Sequence, residues 1–217
     1  MNLRAIKFGD YLTSDDGLIL HEKNVAPAVP KTTYIPVPGR DGDLDLTEAS
    51  GAVHYQDRQA AFTFLLTDGT HEDRVALVTK IMGLVHGQKL RIVDEDDYPD
   101  WYMVGRCKVE NVQYYAAYAE VHISAVCEPW RYGIRKQTKA VTVSDSSETL
   151  LVSNRGFRVV CPTLTVTGQI TVDYGEGSAE LETGTYMIAD LKLKAGLNTL
   201  EVSGTGSLTV SFQEAIQ

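Results

Sequence analysis

The sequence is poor in cysteine and in long apolar runs, and each shortage excludes a class of protein. Its three cysteines, Cys107, Cys127 and Cys161, form no CxxC pair, so we expect neither a disulfide framework nor a zinc site. No apolar run approaches the roughly 20 residues of a transmembrane helix. The opening MNLRAIKFGD also lacks the pattern of a signal peptide. We therefore expect packed, reduced thiols and no membrane partner.

Basic residues are also scarce. The 217 residues include 20 Lys and Arg against 29 Asp and Glu, a formal net charge of −9. No basic patch is evident, and this balance disfavours binding to nucleic acid or to an anionic membrane. We expect no specific nucleic-acid partner.

Motifs of catalysis and of cofactor binding are missing as well. The five histidines are scattered without metal-ligand spacing, and no GxSxG or phosphate-binding loop is present. We predict no catalytic, cofactor-binding or metal-ligating residue, and hence no enzyme.

What the chain does contain divides into two modules. Residues 1–133 carry 13 Lys and Arg against 20 Asp and Glu, a net of −7, whereas residues 134–217 carry 7 against 9, a net of −2. Both tryptophans lie in the first part, and the second is rich in Thr, Val, Leu, Gly and Ser. We predict domains at 1–133 and 134–217, with the junction within 133–147.

The first module has the pattern of an antiparallel sheet with one helix. Ala60, Phe62, Phe64 and Leu66 alternate at period two, as in a strand that covers a core. Later segments, QKLRIVD, WYMVGRCKVENVQYY and YAEVHISAVC, predict further strands, the last with Val121, Ile123, Ala125 and Cys127 on one face. The order of strands, one helix and more strands is typical of an α+β domain.

The helix has clear start and stop signals. Thr70 is a predicted N-cap with Asp73 in the capping-box position, and Gly87 is a predicted left-handed stop. Between them runs an apolar stripe that we predict to be core: Val75, Val78, Ile81, Met82 and Val85.

The second module has the sequence pattern of an all-β sandwich. Short alternating runs are separated by turn signals such as TGQ, YGEGS and SGTGS. The alternating apolar residues are Leu164, Val166, Ile170, Val172, Tyr174, Leu191, Leu193, Leu200, Val202, Leu208, Val210 and Phe212.

Two acidic segments need an interpretation. In PGRDGDLDLTE, Asp41, Asp43 and Asp45 match the first ligands of a calcium loop, but Leu46 and Ala52 replace the required Gly and Glu. We interpret this segment as a strand with one solvated face. In VDEDDYPDWY, the carboxylates Asp94 to Asp100 could form a solvated turn, hold a structural ion, or act as an acid–base pair. The solvated turn is favoured, because adjacent carboxylates diverge.

Read in order, PGRDG (38–42), DWYMVGR (100–106) and the ending CEPWRY (127–132) resemble the distal tail protein family of long noncontractile-tailed bacteriophages, over about residues 1–133. The resemblance implies a hexameric hub ring that joins the tail tube protein to a tail-associated fibre or lysin protein. It implies a ring-forming first domain and a peripheral second domain, a β-sandwich similar to a galectin. It also implies a place at the virion tail tip after assembly in the bacterial cytoplasm.

Within this resemblance, Arg40, Asp41, Trp101 and Tyr102 are the candidate residues of the subunit interface, with Arg40 and Asp41 paired across subunits. The alternative function is a host cell-wall carbohydrate-binding module, for which Tyr174, beside Gly175 and Glu176, is the best candidate platform. A carboxylate hydrolase at Asp94 to Asp100 is a third interpretation.

Overall fold

The computed structural model describes residues 4–217, and these are mostly β-strand with one α-helix. The chain divides into two compact units, the first ending at Arg131 and also including Gln217, the second spanning Tyr132–Ile216. In chain order the elements are β1 (Ile6–Phe8), β2 (Tyr11–Leu12), a 3-10 turn (Thr13–Asp16), β3 (Ile19–Val25), β4 (Tyr34–Ile35), β5 (Leu44–Asp45), β6 (Arg58–Leu66), α1 (His71–Val85), β7 (Lys89–Asp94), β8 (Trp101–Tyr114), β9 (Ala119–Cys127), β10 (Arg131–Gly133), β11 (Gln137–Asn154), β12 (Thr163–Asp173), β13 (Ser178–Leu181), β14 (Gly184–Tyr186), β15 (Gly196–Phe212) and β16 (Ala215–Ile216).

The first unit is built on one antiparallel sheet in the order β2-β1-β7-β8-β9-β6-β3. Phe8 of β1 packs against Phe62 and Phe64 of β6, with ring centroids 5.6 and 6.3 Å apart. Because three strands separate β1 from β6 in the sheet, this contact requires the sheet to curl over a shared core. The predicted inward faces of β6 and β9 are confirmed, since all their alternating apolar residues are buried.

Helix α1 follows the predicted signals at both ends. The Thr70 hydroxyl accepts the N–H of Asp73 at 3.2 Å, the Asp73 carboxylate accepts the N–H of Thr70 at 2.8 Å, and Gly87 has φ +76°. The predicted apolar stripe is only partly correct, because Val75 and Met82 are exposed.

Arg74 takes a place on the buried face of the helix instead. Its guanidinium donates to the carbonyl of Gly69 at 2.9 Å and to that of Ala116 at 3.2 Å. The long apolar stem of an arginine covers core while its head satisfies loop carbonyls.

The second unit is a five-stranded antiparallel sheet with β11, β15, β12 and β13 in order, and β14 also on β12. Its strands are much longer than the sequence predicted: β11 has 18 residues and β15 has 17. Residues 137–147, expected to belong to the domain junction, form the first part of β11 instead.

The expected turns at TGQ and SGTGS are bends within continuous strands. Gly168 lies opposite Gly206, and Ile170 lies opposite Gly204. On β11 the register shifts between Ser144 and Ser146 at the same level. Glycine is required at this line because a Cβ on Gly204 would lie 2.5 Å from the carbonyl oxygen of Gln169. The bend lets both halves of the sheet contribute to one core.

That core contains the apolar residues predicted from alternation. Eleven of those twelve positions are buried within it, and Tyr174 packs against it partly buried. Its buried members include Leu164, Val172, Leu200 and Phe212. The shared core is consistent with the β-sandwich that was expected for the second module.

A buried carboxylate near the C-terminal strand of the second unit accepts hydrogen bonds from both ends of β11. Glu214 is 1% exposed and accepts hydrogen bonds from the Arg155 guanidinium at 2.9 Å and from the Gln137 amide at 3.2 Å. The Arg155 backbone N–H donates to the same carboxylate at 2.8 Å. Because a buried charge is tolerated only when it is paired and hydrogen-bonded, this set ties both ends of β11 to the C-terminal segment.

Candidate functional site

The most exposed part of the first unit is a hairpin that we call the arm, residues 31–51. It connects β3 to β6 and contains only the two-residue strands β4 and β5, which pair with each other. The N–H of Leu46 donates to the carbonyl of Thr33 at 2.8 Å, and the N–H of Thr33 donates to the Thr47 hydroxyl at 3.2 Å. A hairpin of this size gains little stability on its own.

Large apolar side chains on the arm face solvent. Tyr34 is 56% exposed, and Ile35, Val37 and Leu44 are also exposed. Apolar residues clustered on an exposed hairpin are typical of a surface that another molecule covers. The arm therefore has the character of an interaction element.

Arg40 and Asp41 lie at the tip of the arm. Gly39 and Gly42 flank them with φ values of +80° and +75°, and both charged side chains are exposed. The tip presents these two side chains to solvent in a tight turn.

The interpretation of this segment as a strand with one solvated face is only partly correct. Strand β5 has only two residues, and Leu44 is exposed along with Asp45. Asp45 stabilises the hairpin, because its carboxylate accepts the N–H of Thr47 at 2.9 Å. Hydrogen bonds from Thr47 lower the pKa of Asp45.

Trp101 and Tyr102, the other two candidate interface residues, belong to the start of β8. Tyr102 is buried, with the Arg91 guanidinium 4.7 Å from its ring centroid. Trp101 is half-buried and lines a small cavity with Val25 and Arg131. These two aromatics are therefore less accessible than the arm residues.

The acidic turn after β7 is held together by its own carboxylates. Asp94 and Asp97 both form ion pairs with Lys23 of β3. Asp94 also accepts the N–H groups of Asp96 and Asp97, at 3.3 and 3.2 Å, and Asp96 accepts the N–H of Ala5 at 3.0 Å. The hydrogen bond from Lys23 and its charge lower the pKa of Asp97. The turn is present, but the expectation of solvated, diverging carboxylates is only partly correct, because Asp94 is buried and converges with Asp97 on Lys23.

A groove of about 690 Å³ lies on the outer face of the first unit's sheet. Val104 and Val126 contribute apolar surface, and Val126 is exposed. The groove also contains an ion pair between Lys89 and Glu128 at 2.9 Å. We call this surface the sheet groove.

A second groove, of about 370 Å³, lies in the second unit. Lys136 and Arg158 both line it, together with Val159, Cys161 and Phe212. We call it the basic groove. The sequence did not predict this groove, because its two cations come from separate segments of the chain.

Tyr174, the proposed sugar platform, is partly buried against the core of the second unit. A Cβ at Gly177 would lie 2.7 Å from the Tyr174 hydroxyl oxygen, so the ring lies close against this glycine. Tyr174 also lines a small groove together with Glu176 and Asp190, and the sugar platform stays a prediction.

Two structural features are absent from residues 4–217. No group of three or more His, Cys, Asp or Glu in this range is arranged to hold a metal ion. The single helix in this range is too short to cross a bilayer.

Comparison with known proteins finds similarity in structure and none in sequence. No protein-family model matches the sequence, and no curated protein is significantly similar to it. The crystal structure of SPP1 Dit (gp 19.1), described as a paradigm of the hub adsorption apparatus in phages infecting Gram-positive bacteria, has a TM-score of 0.71 at 14% identity. The match covers 98% of this chain and 99% of that chain. The phage p2 baseplate, in its activated conformation with Sr, gives a TM-score of 0.44 at 6% identity over 97% of this chain and 98% of that chain. This second likeness is too distant to inform the fold.

The chain thus has the fold of a phage hub protein over nearly its whole length. The resemblance to distal tail proteins inferred from the PGRDG, DWYMVGR and CEPWRY segments is confirmed at the level of the fold. The sequence did not reveal the sheet groove or the basic groove, and within the arm it singled out only the tip residues Arg40 and Asp41 as interface candidates. A long stretch without hydrophobic period between two clear strands, residues 26–57, was the signal that could have located the arm.

Proposed function

We propose that this protein is the structural hub of a phage tail tip, without enzymatic activity. Copies form a closed ring, six in the arrangement that the family resemblance implies, between the tail tube protein and the tail-tip fibre or lysin protein. The ring assembles in the bacterial cytoplasm and stays at the tail tip of the virion. The observation that carries this proposal is the fold shared with SPP1 Dit over 98% of the chain.

In this proposal the two domains have different tasks. Residues 1–133 form the ring, and residues 134–217 form a peripheral domain similar to a galectin. The unpartnered arm supports the first assignment, since it lies in the first unit. The separate core of the second unit supports the second, because such a domain keeps its fold without help from the ring.

A closed ring needs two unlike surfaces on each subunit. The first unit supplies such a pair: the arm with its exposed Tyr34 and Ile35, and the sheet groove with Val126. We propose that the arm of one subunit lies in the sheet groove of the next. Arg40 and Asp41 then pair across subunits, and Trp101 and Tyr102 belong to the surrounding surface.

Sedimentation velocity tests this arrangement. Ile35→Asp in the arm and Val126→Glu in the sheet groove each place a charge in the proposed contact, so each variant alone should sediment as a monomer. Mixed in equal amounts, the two variants retain one intact arm and one intact groove, and they should form a dimer that cannot close. The control is Val29→Asp, a change at an exposed residue outside the arm, and this variant should leave the ring intact.

Arg40→Glu addresses the charged tip separately and should shift the distribution towards smaller species. Rings that form unchanged with Ile35→Asp and Val126→Glu would refute the arm–groove contact. A wild-type protein that stays monomeric at all concentrations, alone and with its tail neighbours, would refute the hub function.

A further inference from the structure

The basic groove of the second unit has walls from three separate chain segments. Residues 159–161 follow β11, residues 211–213 end β15, and Tyr132 and Lys136 precede β11. Arg158 and Thr163 complete the lining. At about 370 Å³, the groove is within the size range of pockets that bind small groups or one or two side chains.

The charge of this groove is opposite to that of the chain. Its described lining residues include two cations, Lys136 and Arg158, and no carboxylate. Both cations are exposed, and the ion pairs of the second unit use other residues, Arg155 and Lys194. In a chain of net charge −9, this is a local surface that attracts anions.

Exposed apolar side chains flank Arg158 in the chain: Val159 lines the groove, and Phe157 lies outside the lining residues. Phe157 is 73% exposed and Val159 is 49% exposed, on either side of Arg158 in the chain. A large aromatic beside an arginine is the combination that protein interfaces favour at their centres.

The segment that bears these side chains is held in place by its backbone. The N–H of Phe157 donates to the carbonyl of Ala215 at 2.9 Å. The amide of the fully buried Asn154 donates to the carbonyl of Arg158 at 3.0 Å and accepts the N–H of Gly156 at 3.0 Å. Because the segment is already ordered, binding through it costs less conformational entropy.

We propose that the basic groove is a docking site for an acidic segment of a second protein, one that alternates carboxylates with large apolar side chains. Lys136 and Arg158 bind the carboxylates, and Phe157 and Val159 cover the apolar side chains. An anionic wall polymer such as poly(glycerol phosphate) fits less well, because it has no apolar surface to bury against Phe157 and Val159.

A second copy of this chain is also a poorer occupant. The arm, the element offered for contacts between copies, lies in the first unit, whereas the basic groove lies in the second. This step alone rests on the proposed hub function; the ligand class follows from the groove itself.

Fluorescence anisotropy with a labelled peptide of alternating glutamate and phenylalanine tests the ligand class, using the full chain. The double variant Lys136→Glu/Arg158→Glu should weaken binding by at least about tenfold, as expected for reversing two contacting charges. Phe157→Ser should weaken it by a similar factor through loss of apolar contact. Lys192→Glu/Lys194→Glu, an equal charge change elsewhere in the same unit, should leave the Kd unchanged.

Three control ligands and the oligomeric state distinguish the alternatives. Peptides of alternating lysine and phenylalanine, or of glutamate and serine, should bind at least about tenfold more weakly, since each lacks one of the two features. Equal affinity for poly(glycerol phosphate), equal affinity of the groove variants, or no binding by the wild type would overturn the proposal. Loss of self-association in Lys136→Glu/Arg158→Glu would also overturn it, by assigning the groove to a second copy. Peptide binding by a protein that forms no ring would refute the hub function and leave this site standing.

Discussion

Replacing one glycine at the bend of the second unit should destabilise that unit selectively. Gly204 has φ +108°, and a Cβ there would lie 2.5 Å from the carbonyl oxygen of Gln169 and 3.1 Å from the Cα of Ile170. Both neighbours are backbone atoms of β12 and cannot move without breaking the sheet. Gly204→Ala therefore combines about 1–2 kcal/mol of positive-φ strain with about 1–3 kcal/mol of overpacking.

Gly196→Ala separates these two costs. Gly196 has φ +93°, close to that of Gly204, and a Cβ added to it would meet no other atom within 4 Å. Only the conformational strain should remain, so this variant should lose about 1–2 kcal/mol. Since about 1 kcal/mol shifts the Tm of a domain of this size by roughly 4–8 °C, the two variants should differ in Tm by at least about 4 °C.

The assay uses the location of the tryptophans. Trp101 and Trp130 both lie in the first unit, so tryptophan fluorescence follows that unit, while far-UV circular dichroism follows both. Gly204→Ala should lower only the dichroism transition that fluorescence does not detect. Equal stability of Gly204→Ala and Gly196→Ala would refute the argument that close backbone approach fixes glycine at the bend.

Two further predictions concern the first unit and the thiols. Burial raises the pKa of Cys107 to about 12 and that of Cys127 to about 11, so Ellman's reagent at mildly alkaline pH should label only the partly exposed Cys161 in the folded protein; rapid labelling of all three would contradict the packing. The pKa of Asp97 is lowered by Lys23, so their ion pair stabilises the folded state above the ordinary pKa of 3.8 and loses this effect as the pH falls through the lower, folded-state pKa. Lys23→Met should therefore lower the Tm at neutral pH and make the Tm fall less steeply as the pH is lowered, as measured by fluorescence-detected melting. An unchanged dependence of the Tm on acidic pH would show that this ion pair is not responsible.

Local patterns in the sequence predicted the parts of the fold that depend on local rules. Period-two alternation located the buried faces of β6 and β9, because side chains alternate along any strand. Thr70 and Asp73 located the start of α1, because a capping box involves only neighbouring residues. The prediction failed for Val75 and Met82, since helical periodicity does not say how wide the buried face is, and a buried arginine occupied part of it.

Features that depend on contacts between distant segments of the chain could not be predicted from the sequence. Gly204 indicates positive φ equally well in a turn and at a bend within a long strand, so the length of β15 could not be inferred. The basic groove requires Lys136 and Arg158, which lie on either side of β11, to meet near the C-terminal segment, where the Gln137 side chain and the Arg155 backbone N–H both bind Glu214. The arm was located only as an acidic, turn-rich segment, because its exposed apolar residues have no period that distinguishes them from core.

The pairing of β10 with β16 has a consequence for modular exchange. The second unit starts and finishes on neighbouring strands, with the N–H of Gly133 donating to the carbonyl of Glu214 at 3.0 Å. A domain whose entry and exit points are adjacent can be replaced as a cassette with little disturbance to its host. Chimeras that graft a different domain between these two strands should therefore leave the fold of the first unit intact.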